Sequence, residues 1–472
     1  MKKLILFAAV LVTASLTGQT YQHQNINLVG LISPNNSTVT SVNKYSGCWG
    51  WYQASKNKEY AISGASDGTY FIDITNPSTP TLSAFVPSKS ICTWRELKTY
   101  QHYAYIVSDV CKPNVFQIVD LQYLPDSVHV VHNDSSLFRL GHTIWIDNGK
   151  MWVASTRFTS TSSSPMTVWS LANPEAPVLL RRIEQDLSSI TEVHDMYARN
   201  DTVFVSAGWA GLRIVKLNPD TTFTQLGSYS SYPDAGYNHS SALTQNGKYL
   251  IFCDEVPDTK PIHFVDVQNF SNVQPVVSWH PHPKTTPHNP FVIGNKWAIV
   301  SSYQDGLFIY DISNPNNVRQ AGFFDTFYQG GYIDPVMSNY GTSPYNGNWG
   351  AYPFLPSKLI IANDMANGVF ILDPTAAYST TNTVSVGIEN IAANPLAAIY
   401  PNPASHVLNV SYTSEVPSTI SIHNLVGEIV LERSCNGNVS EKLDISALAA
   451  GTYFVSILSR RATSTSKLII CR

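Results

Sequence analysis

A chain of 472 residues, 43% hydrophobic and only 13% charged, exceeds one ordinary domain and has apolar material for one large core plus a small one. Its formal net charge of -4, with no basic stripe, argues against nucleic acid as a partner. Aromatics reach 11%, polar turn formers separate short apolar runs, and no long 3.6-residue apolar period follows the first 20 residues, so an all-β protein is predicted.

The chain opens with "MKKLILFAAVLVTASLTGQT", two lysines before an apolar stretch that gives way to small and polar residues. This pattern predicts a secretory signal peptide over residues 1–18, cleaved near Gly18. The apolar run is too short to span a bilayer comfortably, which argues against a membrane anchor and leaves no membrane span after cleavage. No cysteine follows it, so it does not read as a lipoprotein signal.

From residue 25 onwards one sentence repeats. A His or Trp begins a strand, and a turn with Asn, Gly or Lys leads to a β-branched strand. A Gly-containing loop follows, then a strand ending in "DI" or similar, then an "NP" turn. Seven copies are found, headed by Trp49, Trp94, His142, His194, His239, His288 and Trp349. Heads lie 45, 48, 52, 45, 49 and 61 residues apart, a period that fits a four-stranded unit repeated radially, a seven-bladed β-propeller. WD dipeptides and the double glycine of kelch repeats are missing. Outer strands follow the "NP" turns ("TLSAFVP", "PVLLRRI", "VQPVVSW", "RQAGFFD"), but the seventh copy lacks one. "INLVGLIS" at 26–33 reads as an outer strand with nothing before it, so the N-terminal strand is expected to complete the last blade and remove an exposed edge.

The stretches "GLFIYDISNP", "GTYFIDITNP" and "WGAYPFLPS", with the His-headed strands, resemble the LVIVD-repeat propellers of the choice-of-anchor B family over residues 25–374. The resemblance implies a propeller carrying a C-terminal attachment signal, and no particular reaction.

Residues 375–396 are polar and turn-rich, a linker. Residues 397–472 alternate apolar and polar over five to seven short strands, which predicts a small antiparallel β-sandwich. Within them "YPNPASHVLNV", "LVGEIV", "LDISALAAGTYFVSI" and "SKLII" closely resemble, in order, the type A C-terminal sorting domain of the type IX secretion pathway. That resemblance implies export through the inner membrane by the signal peptide, then across the outer membrane of a Gram-negative bacterium by the tail, whose partner is the secretion machinery. The protein is then secreted or held at the cell surface. The plainer alternative for the tail is an adhesive immunoglobulin-like module.

In a propeller the start of each innermost strand lies beside the end of the second. The loops leaving that face are the long ones here: 130–141, 156–166, 181–193, 229–238, 254–261 and 325–348. Long loops on a rigid scaffold are where binding resides. The seven head residues form a ring on this face, with Glu96, Asp109, Glu192, Asp195, Asp254, Glu255, Asp305 and Asp364 near the same rim. The ring has three readings. Each head side chain locks one blade to the next by hydrogen bonds. Or two or three of His142, His194, His239 and His288, with Asp195, Glu192 or Asp254 nearby, hold a divalent transition metal such as Zn, Mn or Fe. Or the Trp and His faces stack on a sugar or aromatic group. The expected function is recognition or adhesion of an extracellular ligand, carbohydrate among the candidates. The alternative is a metal-dependent enzyme, a hydrolase or lactonase-like, at the channel mouth. No nucleophile elbow, phosphate-binding glycine loop or HExxH is present. Cys92 and Cys111 bracket the first hairpin of the second repeat on one face and are a candidate disulfide, with Cys48 a competing partner.

Overall fold

The computed structural model describes residues 21–35, 43–282, 285–331, 343–380, 384–385, 397–412, 418–424, 428–435, 439–459 and 463–472. The signal peptide expected at 1–18 lies outside them. The chain divides into two compact units, Met1–Gly387 and Ile388–Arg472.

Among the described residues, the first unit is a propeller-like array of seven antiparallel sheets. In the first sheet Tyr45–Gln53, Lys58–Ala65, Gly68–Asp73 and Thr81–Pro87 lie in sequence order from inside to outside. The next five sheets repeat this order, with innermost strands Arg95–Tyr100, Ile144–Asp147, Asp195–Arg199, Asn238–Leu243 and Pro290–Ile293. The seventh is built from Asn348–Tyr352, Ile360–Asp364 and Gly368–Asp373, and Asn27–Ile32 supplies its outer strand, from Asn27 opposite Asp373 to Ile32 opposite Val369. Each sheet's inner strands lie against those of the next, and the innermost strand of the seventh lies against that of the first.

The local sequence explains the repeat. Second and third strands are apolar runs buried on both faces, because a neighbouring sheet covers each side. Outer strands are half exposed and more polar. The Asp that ends the third strand accepts a hydrogen bond from the backbone two residues on: Asp73 from Thr75, Asp266 from Gln268, Asp311 from Ser313 and Asp373 from Thr375, at 2.8–2.9 Å. At Asp73 and Asp311 this Asx turn is the physical content of "D-x-x-N-P". The core lies between sheets rather than on the axis. Seven apolar clusters fill the seven junctions, from Ile62, Leu97 and Ile106 between the first and second to Tyr45, Ile72 and Ile371 between the seventh and first.

Two short strands, His23–Gln24 and Val384–Ser385, pair with the outer strand Arg319–Phe324 of the sixth sheet and cover its edge. The stretch read as linker from 375 begins as packed structure. A short helix, Thr375–Ser379, buries Ala377 and lays Tyr378 on Trp297 at 5.2 Å. Likewise, much of 156–166 is strand, not loop: Lys150–Arg157 and Ser163–Ser170 leave only the turn between them.

In the second unit, Ala397–Tyr400, Val407–Tyr412 and Val439–Asp444 form one sheet, and Ile429–Cys435, Ser418–His423, Gly451–Ser459 and Thr463–Ile470 another. Residues of both, among them Leu408, Val410, Ile420, Val455 and Leu468, share one core. No helix among the described residues is long and apolar enough to cross a membrane.

Candidate functional site at the channel mouth

Six of the seven ring residues meet in a continuous arc. Ring centroids step from Trp94 to Trp349 at 4.8 Å, to His288 at 4.6 Å and to His239 at 4.3 Å, then to His194 at 4.2 Å and His142 at 4.3 Å. The repeat dictates this. Each residue stands at the entry of an innermost strand, where its backbone N–H binds the second strand: His142 to Ala154, His194 to Ser206 and His288 to Ser301.

Trp49 does not belong to the arc. It packs on Trp145, Phe291 and Tyr352, one layer further along the channel, with Lys98 over its ring at 4.4 Å. Those three aromatics each follow their ring residue by three positions. Trp49 packs with them at that same position, which puts Ser46, three residues earlier, at the head of the first innermost strand.

The arc is one wall of a cavity of about 810 Å³, lined elsewhere by Tyr303, Phe327, Gln329, Tyr345 and Asn346. Below it the channel narrows to a space of about 50 Å³ lined by Glu96, Lys98 and Asp195. The acidic residues divide between these levels and other tasks. Asp109 contacts His142 Nδ1 at 2.8 Å. Glu192 accepts from the Tyr237 hydroxyl at 2.5 Å, and that hydroxyl lies 3.2 Å from His194 Nδ1. Glu96 accepts from the Trp349 indole at 2.7 Å. Asp195 points into the narrow channel and binds its neighbour's N–H, on Met196, at 2.8 Å. Asp254 faces away from the ring: it accepts from Tyr232, from the Gly236 N–H and from Asn238. Asp305 receives the Thr285 hydroxyl, and Asp364 caps its own turn at Ala366 and Asn367.

The acid that does reach the histidines is Glu255, one residue past Asp254. It lies 3.7 Å from His239 Nε2 and 4.0 Å from His288 Nε2 and accepts from the Tyr303 hydroxyl at 2.5 Å. Successive residues of an extended chain face opposite ways, so a one-residue step exchanges the channel for the wedge between sheets. Tyr237 and Tyr303 carry no repeat signature and were not nominated by the sequence. The exposed Trp209, 5.6 Å from Tyr237, was not either.

Burial sets the charge states. It works against charge on His142, but the hydrogen-bonded Asp109, helped by Glu96 and Asp195, outweighs it and lifts His142 above the ordinary imidazole value. Burial and then the neighbouring imidazoles push His194 far down. Burial first, then a neighbouring imidazole, brings His239 and His288 each to about 3. Both are therefore neutral at physiological pH, with lone pairs to offer. Burial lifts Asp195 to about 6.

Cys92 and Cys111 form a disulfide with Cα atoms 5.5 Å apart, and Cys48 is buried as a free thiol.

Residues 398–471 match the secretion system C-terminal sorting domain. The tail marks an exported chain, sorted by type IX secretion, as in Bacteroidetes, to the cell surface or outside. No curated protein matches the chain. Among solved structures, the Myceliophteria thermophila Cps50 (Swd1) beta-propeller domain is similar at a TM-score of 0.47 and 12% identity, over 74% of this chain and 98% of that one. The RRP9 WD40 repeats are similar at 0.47 and 9% identity, over 75% and 99%.

Proposed function

We propose that this chain is an exported seven-bladed β-propeller that recognises an extracellular ligand in its channel mouth. The ligand class is one with flat, partly apolar rings edged by hydroxyls, a carbohydrate or an aromatic glycoside. In this reading residues 1–18 are removed on export, 25–374 are the propeller closed by its N-terminal strand, and 375–396 connect it to the sorting tail. That tail, 397–472, is a sandwich that engages the secretion machinery. The likeness of 25–374 to LVIVD-repeat propellers supports the architecture and carries no reaction.

One observation carries the reading: the cavity of about 810 Å³ sets the indoles of Trp94 and Trp349 beside Tyr303 and Tyr345, with imidazoles, Glu255, Gln329 and Asn346 among them. Concave, mainly apolar sites with a few convergent polar groups are what ligands of this size occupy. Aromatic faces give such a ring area at little entropic cost, and buried acceptors and donors select its hydroxyls.

A glycan array probed with the secreted protein, followed by calorimetry on the hits, tests it. Hits bound by wild type should lose at least 10-fold in affinity in Trp349→Ala and in Trp94→Ala, while Phe354→Ala, away from the cavity, leaves them intact. Hits indifferent to both indoles would end the reading. The competing function, a metal-dependent hydrolase or lactonase-like enzyme, has one observation in its favour: ligand-type atoms of His194, His239 and Glu255 all lie within 4.8 Å of one another.

A further inference from the structure

Three of the four imidazoles have one nitrogen committed to a partner that dictates where the ring proton sits. Ionised Asp109 can only accept, so His142 donates to it from Nδ1 at 2.8 Å. The Trp349 carbonyl can only accept, so His288 donates from Nδ1 at 2.5 Å. Tyr237 has a single hydroxyl hydrogen, which goes to the Glu192 carboxylate at 2.5 Å, and its oxygen is left to accept from His194 Nδ1 at 3.2 Å. In the neutral form of each ring, therefore, the proton is on Nδ1 and the lone pair on Nε2.

Among the described residues, those lone pairs meet no donor while the rings are neutral. Nε2 of His142 and Nε2 of His194 stand 3.2 Å apart. Nε2 of His288 is buried without a hydrogen-bond partner among the described residues, on a residue only 1% exposed. Glu255 brings a carboxylate into the same space, 3.7 Å from His239 Nε2, and the Tyr303 hydroxyl holds it there. Converging lone pairs and a carboxylate in a buried site repel one another unless a cation lies among them. A proton between His142 and His194 would answer only that pair. Ligand atoms around a tetrahedral ion at about 2.1 Å stand roughly 3.4 Å apart, close to the His142–His194 spacing.

We propose that His194, His239 and Glu255 hold a divalent transition-metal ion at the channel mouth, with His142 within reach as a further ligand. Asp109, Tyr237 and Tyr303 are the outer partners that orient the rings and the carboxylate, the arrangement that metal-binding histidines ordinarily show. Imidazoles with one carboxylate suit Zn, Fe or Cu and not the all-oxygen preferences of Ca and Mg. The site stands on its own atoms: a ligand stacked on Trp94 and Trp349 does not require it, and it does not require that ligand.

The test uses the exported protein without a histidine tag. It is stripped with a chelator, dialysed against Zn(II) or Co(II), and measured by elemental analysis and visible absorption. One equivalent per chain should survive dialysis, and Co(II) should give the absorption of a low-coordinate site. Ca(II) at the same concentration should not displace it. Glu255→Gln and His239→Gln should each weaken binding at least about 100-fold, and Asp109→Asn about 10-fold. Failure of wild type to retain stoichiometric metal overturns the proposal, as does retention unchanged in Glu255→Gln and His239→Gln. Circular dichroism of the metal-free variants checks their fold, and the wild-type stoichiometry and Co(II) spectrum decide even if a variant does not fold.

Discussion

Gly30 offers a direct test of how the N-terminal strand closes the ring. It sits in Asn27–Ile32, at the bulge opposite Leu372 and Ile371. A Cβ placed there would stand 1.9 Å from the carbonyl oxygen of Pro77 and 3.3 Å from Ile371 Cδ1. Pro77 belongs to the third-to-outer turn of the first sheet, which is fixed by a Thr79 N–H to Asn76 carbonyl bond of 3.1 Å and by Ser78 to the Asn76 side chain at 3.0 Å. Backbone, not a flexible side-chain end, would have to give way by more than 1 Å, as the 1.9 Å approach requires. Overpacking of this kind costs about 1–3 kcal/mol, partly offset by the 0.5–1 kcal/mol or so that Ala recovers over Gly in the unfolded chain. Gly30→Ala should therefore lower the urea midpoint of the propeller by an amount equivalent to about 1–2 kcal/mol at constant slope. Gly350 is the matched control, because the nearest atom to its added Cβ is Asn289 Nδ2 at 3.8 Å. Gly350→Ala should stay within about 0.5 kcal/mol of wild type. Equal midpoints for wild type and Gly30→Ala would refute the idea that this strand packs against the first sheet's turn.

Burial raises Asp364 to about 7, against donors from Thr326, Asn367 and Ala366 that pull the other way. The folded state then holds this proton over a range where the unfolded chain has released it, so stability falls as pH rises from about 4 to about 7 and levels off above. Urea midpoints of Asp364→Asn across that range should show a shallower fall than wild type; parallel curves would deny Asp364 the role. The Cys92–Cys111 bridge closes a sequence separation of 19, and the double Ser variant should lose about 3 kcal/mol by the same assay. A chain ending before the match at 398–471 should be retained in the periplasm, read by cell fractionation, whereas its appearance in the medium would contradict the sorting role of the tail.

The repeat was legible because its cause is local. The Asp of each Asx turn, the apolar second and third strands and the outer strand at Asn27–Ile32 are all spelled within a few residues of chain. The arc of Trp94, Trp349 and the four histidines followed from counting that period. What escaped was decided elsewhere. Trp49 reads as a head because "CWGW" offers an aromatic there, but it packs at the aromatic position, and the head's place three residues earlier goes to Ser46. Asp254 and Glu255 are adjacent, and only their facing, fixed by the Tyr237 and Asp254 pairings around them, says which one enters the channel. Tyr237 and Tyr303 reach Glu192 and Glu255 from other sheets, over separations of 45 and 48 residues that no local pattern encodes. Residues 375–379 read as linker because they open a polar, turn-rich stretch, yet Ala377 and Tyr378 find a ready surface on the sixth sheet.

The channel mouth as a ligand site is the central claim, and binding by Trp349→Ala against wild type tests it most directly. Calorimetry with the strongest glycan-array hit should give saturable binding to wild type and at least a 10-fold weaker isotherm for the variant, with its urea midpoint preserved. An unchanged isotherm in Trp349→Ala, or an array with no hit that depends on either indole, would contradict it.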